Sequence, residues 1–412
     1  MTRMHHERRV GFGVEARSQW DLAPDLSFLN HGSFGAVPRA LQDRATEARR
    51  EIERNPVEGV WRHGVSAIRA SAEAVAGFLG ADGDRTGFVS NATNGINAML
   101  QSVPLEPGDE VLHLDQGYNA VWQTILMTAR RRGIVPRKIE IPLPIDGPGD
   151  WIDAVAGAIT ARTRLLVLDQ ITSPTAFVLP TRAIVEMAKS HGVETIVDGA
   201  HAPGMLDRPV EDIGDPIAWT GNLHKWPCAL RGTAVVVVRD DFEDRIKPAV
   251  ISHHLDQAFT AEFDWQGTFD PVPWILAKEA IDFMDRFGGW GEVRRRNRDL
   301  AIEAHAMLVE RLGVEPISPL DGSSLGFMAT LPLPDRLQPD GGGSPLPSTD
   351  PKSGPLEISV DPVQARLLED HRIEIPVMHH GGRRFVRCSV QVYNELDEYE
   401  RLAEAVQAVS NA

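Results

Sequence analysis

Cysteine is nearly absent from this chain: 412 residues contain two, Cys228 and Cys388. Two cysteines cannot build a disulfide framework or supply a zinc ligand set, and they fit a reducing cytoplasm. Positive charge is short as well. Forty-two Lys and Arg stand against 58 Asp and Glu, a net charge of −16. That balance excludes a nucleic-acid binder, whose surface must be basic. A small anionic ligand stays open, because a few backbone N–H groups can hold one phosphate. Long apolar runs are also missing. The longest, such as Ala234–Val238, have the length of a strand and cannot span a bilayer. Met1 to Trp20 is polar and charged, without an apolar core, so no secretory signal is expected and a cytoplasmic location is.

What is present is ordinary for a globular protein, 42% hydrophobic and 24% charged residues. The length calls for about two domains. Up to about residue 285, strand patterns (near 88, 110–115, 137–143, 164–170, 195–197, 217–219 and 233–238) alternate with helical ones (39–54, 61–79, 96–103, 119–132, 151–160 and 182–191). Such alternation predicts an α/β fold with a mostly parallel sheet flanked by helices. A long helix is expected from about 272 to 287, then a charged amphipathic helix over 291–312. Helix 364–370, strands 373–377 and 384–392 and helix 394–408 suggest a smaller α+β domain. The expected organisation is an arm, 1–35, loosely held over 1–25; a large domain, 36–285; and a small C-terminal domain, 286–412. The Pro-, Gly- and Ser-rich stretch 334–355 reads as a flexible insertion in the last.

Chemistry-bearing residues recur where strands run out. Asp198 ends a β-branched strand, and Lys225 follows the next strand 27 residues on. A carboxylate and a lysine so placed can grip the two ends of one flat cationic ring, and pyridoxal phosphate is such a ring. Its pyridine nitrogen needs an anion, and its aldehyde needs a lysine amine to form a Schiff base. Read singly, Asp198 caps a loop and Lys225 is a solvated lysine. Asn91, Ala92 and Thr93 stand before an apolar helix, where a phosphate would dock, although Asn and Thr are also ordinary N-caps. Tyr118 lies just past a strand, where an aromatic can stack on a ring or simply cap the next helix. His224 can donate to a phosphate or be a loop histidine. The pairs His253-His254 and His379-His380 lack the spacing to share one ion, so no metal is expected.

Five stretches together, Leu29-Asn-His-Gly-Ser-Phe-Gly35, Ser90-Asn-Ala-Thr-Asn94, Val197-Asp-Gly-Ala-His-Ala-Pro-Gly204, Gly221-Asn-Leu-His-Lys-Trp226 and Arg387-Cys-Ser-Val-Gln-Val-Tyr-Asn394, resemble the class V aminotransferase family of fold-type I pyridoxal phosphate enzymes. Within it the resemblance is to the isopenicillin N epimerase-like branch, which includes lyases of cysteine-derived C–S bonds. The fold implied is a large domain with a mostly parallel seven-stranded sheet plus a smaller α+β domain. The resemblance implies that Lys225 carries the cofactor and shuttles the α-proton, that Asp198 pairs with the ring nitrogen, that Tyr118 stacks on the ring and that His201 lies by its hydroxyl. Asn91, Ala92, Thr93, Asn222 and His224 would hold the phosphate, though position 222 is often Ser in relatives. Thr268 would reach the phosphate of a neighbouring subunit, implying a homodimer with shared sites. Arg387 would clamp the substrate α-carboxylate, with Asn30, His31 and Ser173 lining the pocket.

The implied reaction is epimerisation or racemisation of an amino acid; elimination of a β-substituent, aminotransfer and a non-catalytic binding module are the alternatives. Epimerisation needs a second acid/base, for which His31, His379, His380 and Tyr393 are candidates. The loop Met378-His-His-Gly-Gly-Arg-Arg384 has no cysteine, which argues against a persulfide-forming desulfurase.

Overall fold

The computed structural model describes residues 9–339 and 360–411. Its strands fall into three sheets. The arm contributes the first strand, β1 (Ser27–Phe28). The seven next strands build the central sheet: β2 (Thr86–Val89), β3 (Glu110–Leu114), β4 (Val135–Ile139), β5 (Thr163–Asp169), β6 (Glu194–Asp198), β7 (Ala218–Asn222) and β8 (Ala234–Val238). Their order is β2-β8-β7-β6-β5-β3-β4, and all run parallel except β8, which is antiparallel to both neighbours.

Both faces of this sheet are buried, which explains its near-continuous apolar runs. On β5, Leu166 and Leu168 face one layer, with Val75, Trp151 and Ile184 from three helices; Leu165 and Val167 face the other, with Ile96, Val121 and Ile125. Each such side chain contributes about 2 kcal/mol by leaving water. The chain leaves β3 outward to edge strand β4, then returns to β5 on the other side of β3. That reversal opens a crevice at the carboxyl ends of β3 and β5, the place where open α/β sheets bind ligands.

The remaining strands are β9 (Met328–Pro332), β10 (Ile373–Glu374), β11 (Val377–His380) and β12 (Arg383–Ser389). β11, β12 and β9 form an antiparallel sheet in that order. The β11–β12 turn is Gly381-Gly382, both with positive φ, as a tight hairpin turn requires. β10 pairs in parallel with β1, tying the arm to the far end of the chain.

Several expectations shift. The strand expected at 137–143 lies at Val135–Ile139, because Pro142 and Pro144 have no N–H for the ladder. The expected strand 373–377 splits at Pro376 for the same reason. The helix placed at 96 begins at Ala92. The helix placed at 61 begins at Gly64, after a π-helical turn over Val57–Arg62. The long helix over 272–287 is three short pieces, broken at Leu276 and finishing as a 3₁₀ turn over Phe283–Phe287. β9 carried no strand reading at all.

Residues 9–25, read as loosely held, are docked. Trp20 is buried against Phe283 at 5.5 Å and Tyr393 at 5.1 Å between ring centres, and Gly13 N–H donates to the Val392 carbonyl. The insertion read at 334–355 falls, past Pro339, outside the described residues.

Candidate active site

The carboxyl ends of the strands surround a cleft of about 630 Å³. β6 ends in Asp198, whose Oδ1 accepts the Ala200 N–H at 2.9 Å. β7 ends in Asn222, and the turn after it delivers His224 and Lys225 to the same cleft. This turn is clamped by the arm. A Cβ at Gly35 would lie 2.3 Å from the His224 carbonyl and 2.7 Å from that of Lys225, so only glycine allows the approach.

Lys225 Nζ lies 3.0 Å from His201 Nε2. Burial, with Arg387 adding repulsion, pulls the amine down to about 7, while Asp198 acts the other way. Such an amine is in good part unprotonated at neutral pH and can act as a nucleophile or base. His201 is pushed well below the ordinary histidine range by burial, then by Lys225 and Arg387, so its ring is neutral. Asp198 is raised by burial, opposed by the Ala200 amide and Lys225.

Arg387, on β12 of the small antiparallel sheet, also reaches the cleft. It donates from Nη1 to the Ser173 carbonyl at 2.6 Å and from Nη2 to Ser33 Oγ at 3.0 Å. Its Nε is buried without a partner, and among the described residues no carboxylate pairs with it. Burial lowers its pKa to about 10, so it remains charged at neutral pH. A buried guanidinium without a counter-ion is costly, and a carboxylate ligand would relieve it.

The helix Ala92–Ser102 points its first turn into the cleft. Asn91 caps it, its side chain accepting the Asn94 N–H at 2.9 Å. Asn222 Oδ1 accepts the Ala92 N–H at 2.9 Å, so this amide is already engaged within the protein. Burial, followed by repulsion from Lys225, lowers His224 to about 4 and leaves it neutral. Arg231 also lines the cleft and is the permanent cation near this turn.

The cleft thus collects Lys225, Asp198, Tyr118, His201, Asn91, Ala92, Thr93, Asn222, His224, Ser173 and Arg387. Three expected residues are not among those lining it. Thr268 is exposed outside it. Asn30 donates to Glu374 at 2.9 Å. His31 lies behind the lysine, with Nε2 3.0 Å from the Lys225 carbonyl and Nδ1 2.7 Å from the Tyr393 hydroxyl. The other acid/base candidates are engaged elsewhere too: His379 with Asp361 at 2.8 Å and His380 beside Asp115 at 3.7 Å. Among the residues lining the cleft that had no assigned role in the sequence are Ser33, Arg231 and Asp169. Asp169 had a readable signal, since it ends β5 as Asp198 ends β6.

The profile of Aminotransferase class-V matches residues 36–330. The chain belongs to the class V aminotransferase family. This family member is 31% identical to an isopenicillin N epimerase of Amycolatopsis lactamdurans, over 96% of this chain and 98% of that one. It is 26% identical to an L-cysteine desulfhydrase of Arabidopsis thaliana, over 92% of this chain and 86% of that one. In fold it resembles the cystine C-S lyase C-DES in complex with cysteine persulfide, at TM-score 0.76 and 18% identity, covering 93% and 97% of the two chains. A cysteine desulfurase from Thermococcus onnurineus gives TM-score 0.77 at 18% identity, covering 98% and 100%.

Family membership indicates a pyridoxal 5′-phosphate enzyme, and the cleft fits that group. An amine held near neutral pKa, a carboxylate at a strand end and a helix N-terminus beside an arginine stand around one space. Both cysteines are buried and lie outside the cleft. The Cys388 thiol is pushed up to about 12 by burial, and Cys228 higher still. Neither supplies a thiolate there. Among the described residues no helix is long and apolar enough to cross a membrane.

Proposed function

We propose that this chain acts at the α-carbon of an amino acid, with epimerisation as the reaction. The observation that carries the reading is the convergence on one cleft of a near-neutral Lys225 and a buried, unpaired Arg387. Arg387 takes the substrate α-carboxylate. Ser173 and Ser33 hold its guanidinium in place. Lys225 would hold the cofactor through its aldehyde, and its near-neutral amine is the group placed to take the α-proton. Asp198 would hold the ring nitrogen and Tyr118 would cover the ring, while His201 stands 3.0 Å from the lysine amine. Asn91, Ala92, Thr93, Asn222, His224 and Arg231, which line the cleft, would hold the phosphate. When bound, pyridoxal phosphate supplies the electron sink that makes the α-proton acidic.

Epimerisation is favoured by the likeness to isopenicillin N epimerases over nearly the whole chain. It requires a proton to return on the face opposite Lys225. A second reading, β-elimination from a cysteine-derived substrate, has its own observation. His31, His379, His380 and Tyr393 are all engaged outside the cleft. Elimination needs only Lys225, which takes the proton while the β-sulfur leaves with its bonding electrons.

Two copies of the chain would share sites across an interface. Val57, Trp61, Val250, Ile251 and Leu255 are exposed, and Trp61 packs on His254 and on Trp265, three residues before Thr268. A neighbour docked on this surface would bring Thr268 to its cleft. The two free, buried cysteines suit a reducing compartment such as the cytoplasm.

The test is the absorption spectrum of the purified protein with the cofactor, before and after borohydride, with the modified peptide mapped. Attachment at Lys225 is expected; attachment elsewhere, or none, sinks the assignment. L-Amino acids and S-substituted cysteines in deuterated water then separate the reactions. Deuterium at an inverted α-carbon indicates epimerisation, whereas pyruvate and ammonia indicate elimination.

A further inference from the structure

Asp169 and Asp198 are register partners at the ends of adjacent parallel strands, β5 and β6, so their side chains leave the same face of the sheet. Both line the cleft and both are buried, at 2% and 3% exposure. Their surroundings differ. Asp198 accepts a short bond from Ala200 N–H and has the Lys225 charge within range. Asp169 receives the Tyr118 N–H at Oδ1, at 3.3 Å, while Oδ2 is buried without a partner. The nearest ring nitrogen to Oδ2 is His113 Nδ1, at 3.9 Å, and it donates to the Val167 carbonyl at 2.9 Å. The His113 ring is neutral, since burial lowers it to about 4, so it offers Asp169 no positive charge. Gly117 completes the turn. A Cβ there would lie 2.1 Å from His113 Nε2 and 2.9 Å from Asp169 Oδ2, so the backbone is packed directly onto this pair.

Two carboxylates side by side in a buried site cannot both ionise cheaply, and one keeps its proton. The groups facing the pair are His113 from β3, Tyr118 from the turn after it, and Lys225 and His201 across the cleft. The cation and the stronger N–H bond both favour charge on Asp198. We propose that Asp169 is a positioning residue of this site: as the protonated partner of Asp198 it fixes the Tyr118 turn and leaves the negative charge to Asp198. Burial, with repulsion from Asp198 added, raises Asp169 well above the usual carboxylate range, in line with that placement. Its proton stays on the carboxyl throughout, and no bond is made or broken there. The role rests on the cofactor reading above, because Tyr118 and Asp198 are its two working contacts.

The experiment compares Asp169→Asn with Asp169→Ala in cofactor titrations of the cofactor-free protein, alongside infrared difference spectra of that protein at neutral pH. Asparagine reproduces a neutral acid in charge and shape: its oxygen accepts from Tyr118 and its uncharged amide stands where the protonated Oδ2 did. Ala is expected to weaken cofactor binding by on the order of 10- to 100-fold, Asn to restore most of that loss, and the carbonyl stretch of a buried protonated carboxyl to vanish in both. If Asn binds as poorly as Ala and no such band exists, Asp169 is ionised and the proposal is overturned. It is equally overturned if neither variant differs from the wild type. Should the Ala variant fail to fold, the Asn titration and the band decide. If the wild-type chain takes up no cofactor, the functional reading fails by itself, and the infrared band still tests the protonation of Asp169.

Discussion

The two ends of the central sheet treat charge in opposite ways. At the amino ends Glu110, buried on β3, accepts from Arg137 at 2.7 Å, Thr160 at 2.7 Å and Arg162 at 2.9 Å. Those bonds outweigh burial and hold its carboxyl down at about 2. A second cleft of about 570 Å³ opens at this end, and its charges are paired as well: Lys189 with Asp215 at 2.7 Å and Arg239 with Glu194 at 3.1 Å. At the carboxyl ends Asp169 and Asp198 are raised, Lys225 is lowered, and Arg387 has no anion. A carboxylate held below its unfolded pKa contributes stability at neutral pH. A carboxyl held above it, or an amine held below it, costs stability there. One end of the sheet therefore supports the fold, and the other carries unmet charge that a ligand can meet.

That contrast can be broken from either side. The largest effect is expected from Lys225→Ala, which should lower turnover by at least about 10³-fold and abolish borohydride-stable cofactor attachment, read by peptide mapping. Arg387→Gln should reduce kcat/KM for an α-amino acid by on the order of 10²-fold, measured by steady-state kinetics. A smaller loss would mean that another group takes the carboxylate. Glu110→Gln, at the other end, should cost about 3 kcal/mol in urea unfolding and leave kcat/KM unchanged. The stability from Glu110 is full above its unfolded pKa and is lost as the pH falls toward about 2. The mildest prediction concerns cofactor capture by the cofactor-free protein. Its rate should be flat above about pH 7 and fall about tenfold per unit below it. A rate that keeps rising toward pH 10 would show that the Lys225 amine is not perturbed.

The carboxyl-end half of this contrast was legible in the sequence; the paired charges at the amino ends were not, and what was missed has physical reasons. Asp198 and Lys225 could be placed because a short strand pattern precedes each, the β-branched Thr195-Ile-Val197 and the apolar Ile217-Ala-Trp219, and the charge comes at its end or in the turn after it. Helix 119–132 was read to the residue, because an apolar stripe ends in Arg130–Arg132 and then Gly133, which takes the left-handed conformation of a helix stop. The antiparallel direction of β8 was invisible. Five apolar residues buried on both faces carry no sign of which way the strand runs. The docking of Trp20 was equally hidden, because its aromatic partners lie more than 260 residues away and helical periodicity carries no information at that range. His31 was misplaced for a related reason. Its motif identifies a loop near the lysine, but only the packing of Trp226 and Tyr393 shows that its ring faces the lysine backbone and not the cleft.

The pairing of β1 with β10 also sets an order of events during synthesis. Asn30 meets Glu374 across 344 residues, and the same arm supplies the Gly35 approach to the lysine turn and the Ser33 hydroxyl to Arg387. A ribosome that has finished the whole central sheet has still not made β10, β12 or Arg387. The nascent chain can therefore form its α/β core early, yet its cleft stays without its arginine until residues 373–389 have been made. Until then the arm lacks the strand it pairs with, and Ser33 lacks the guanidinium it meets.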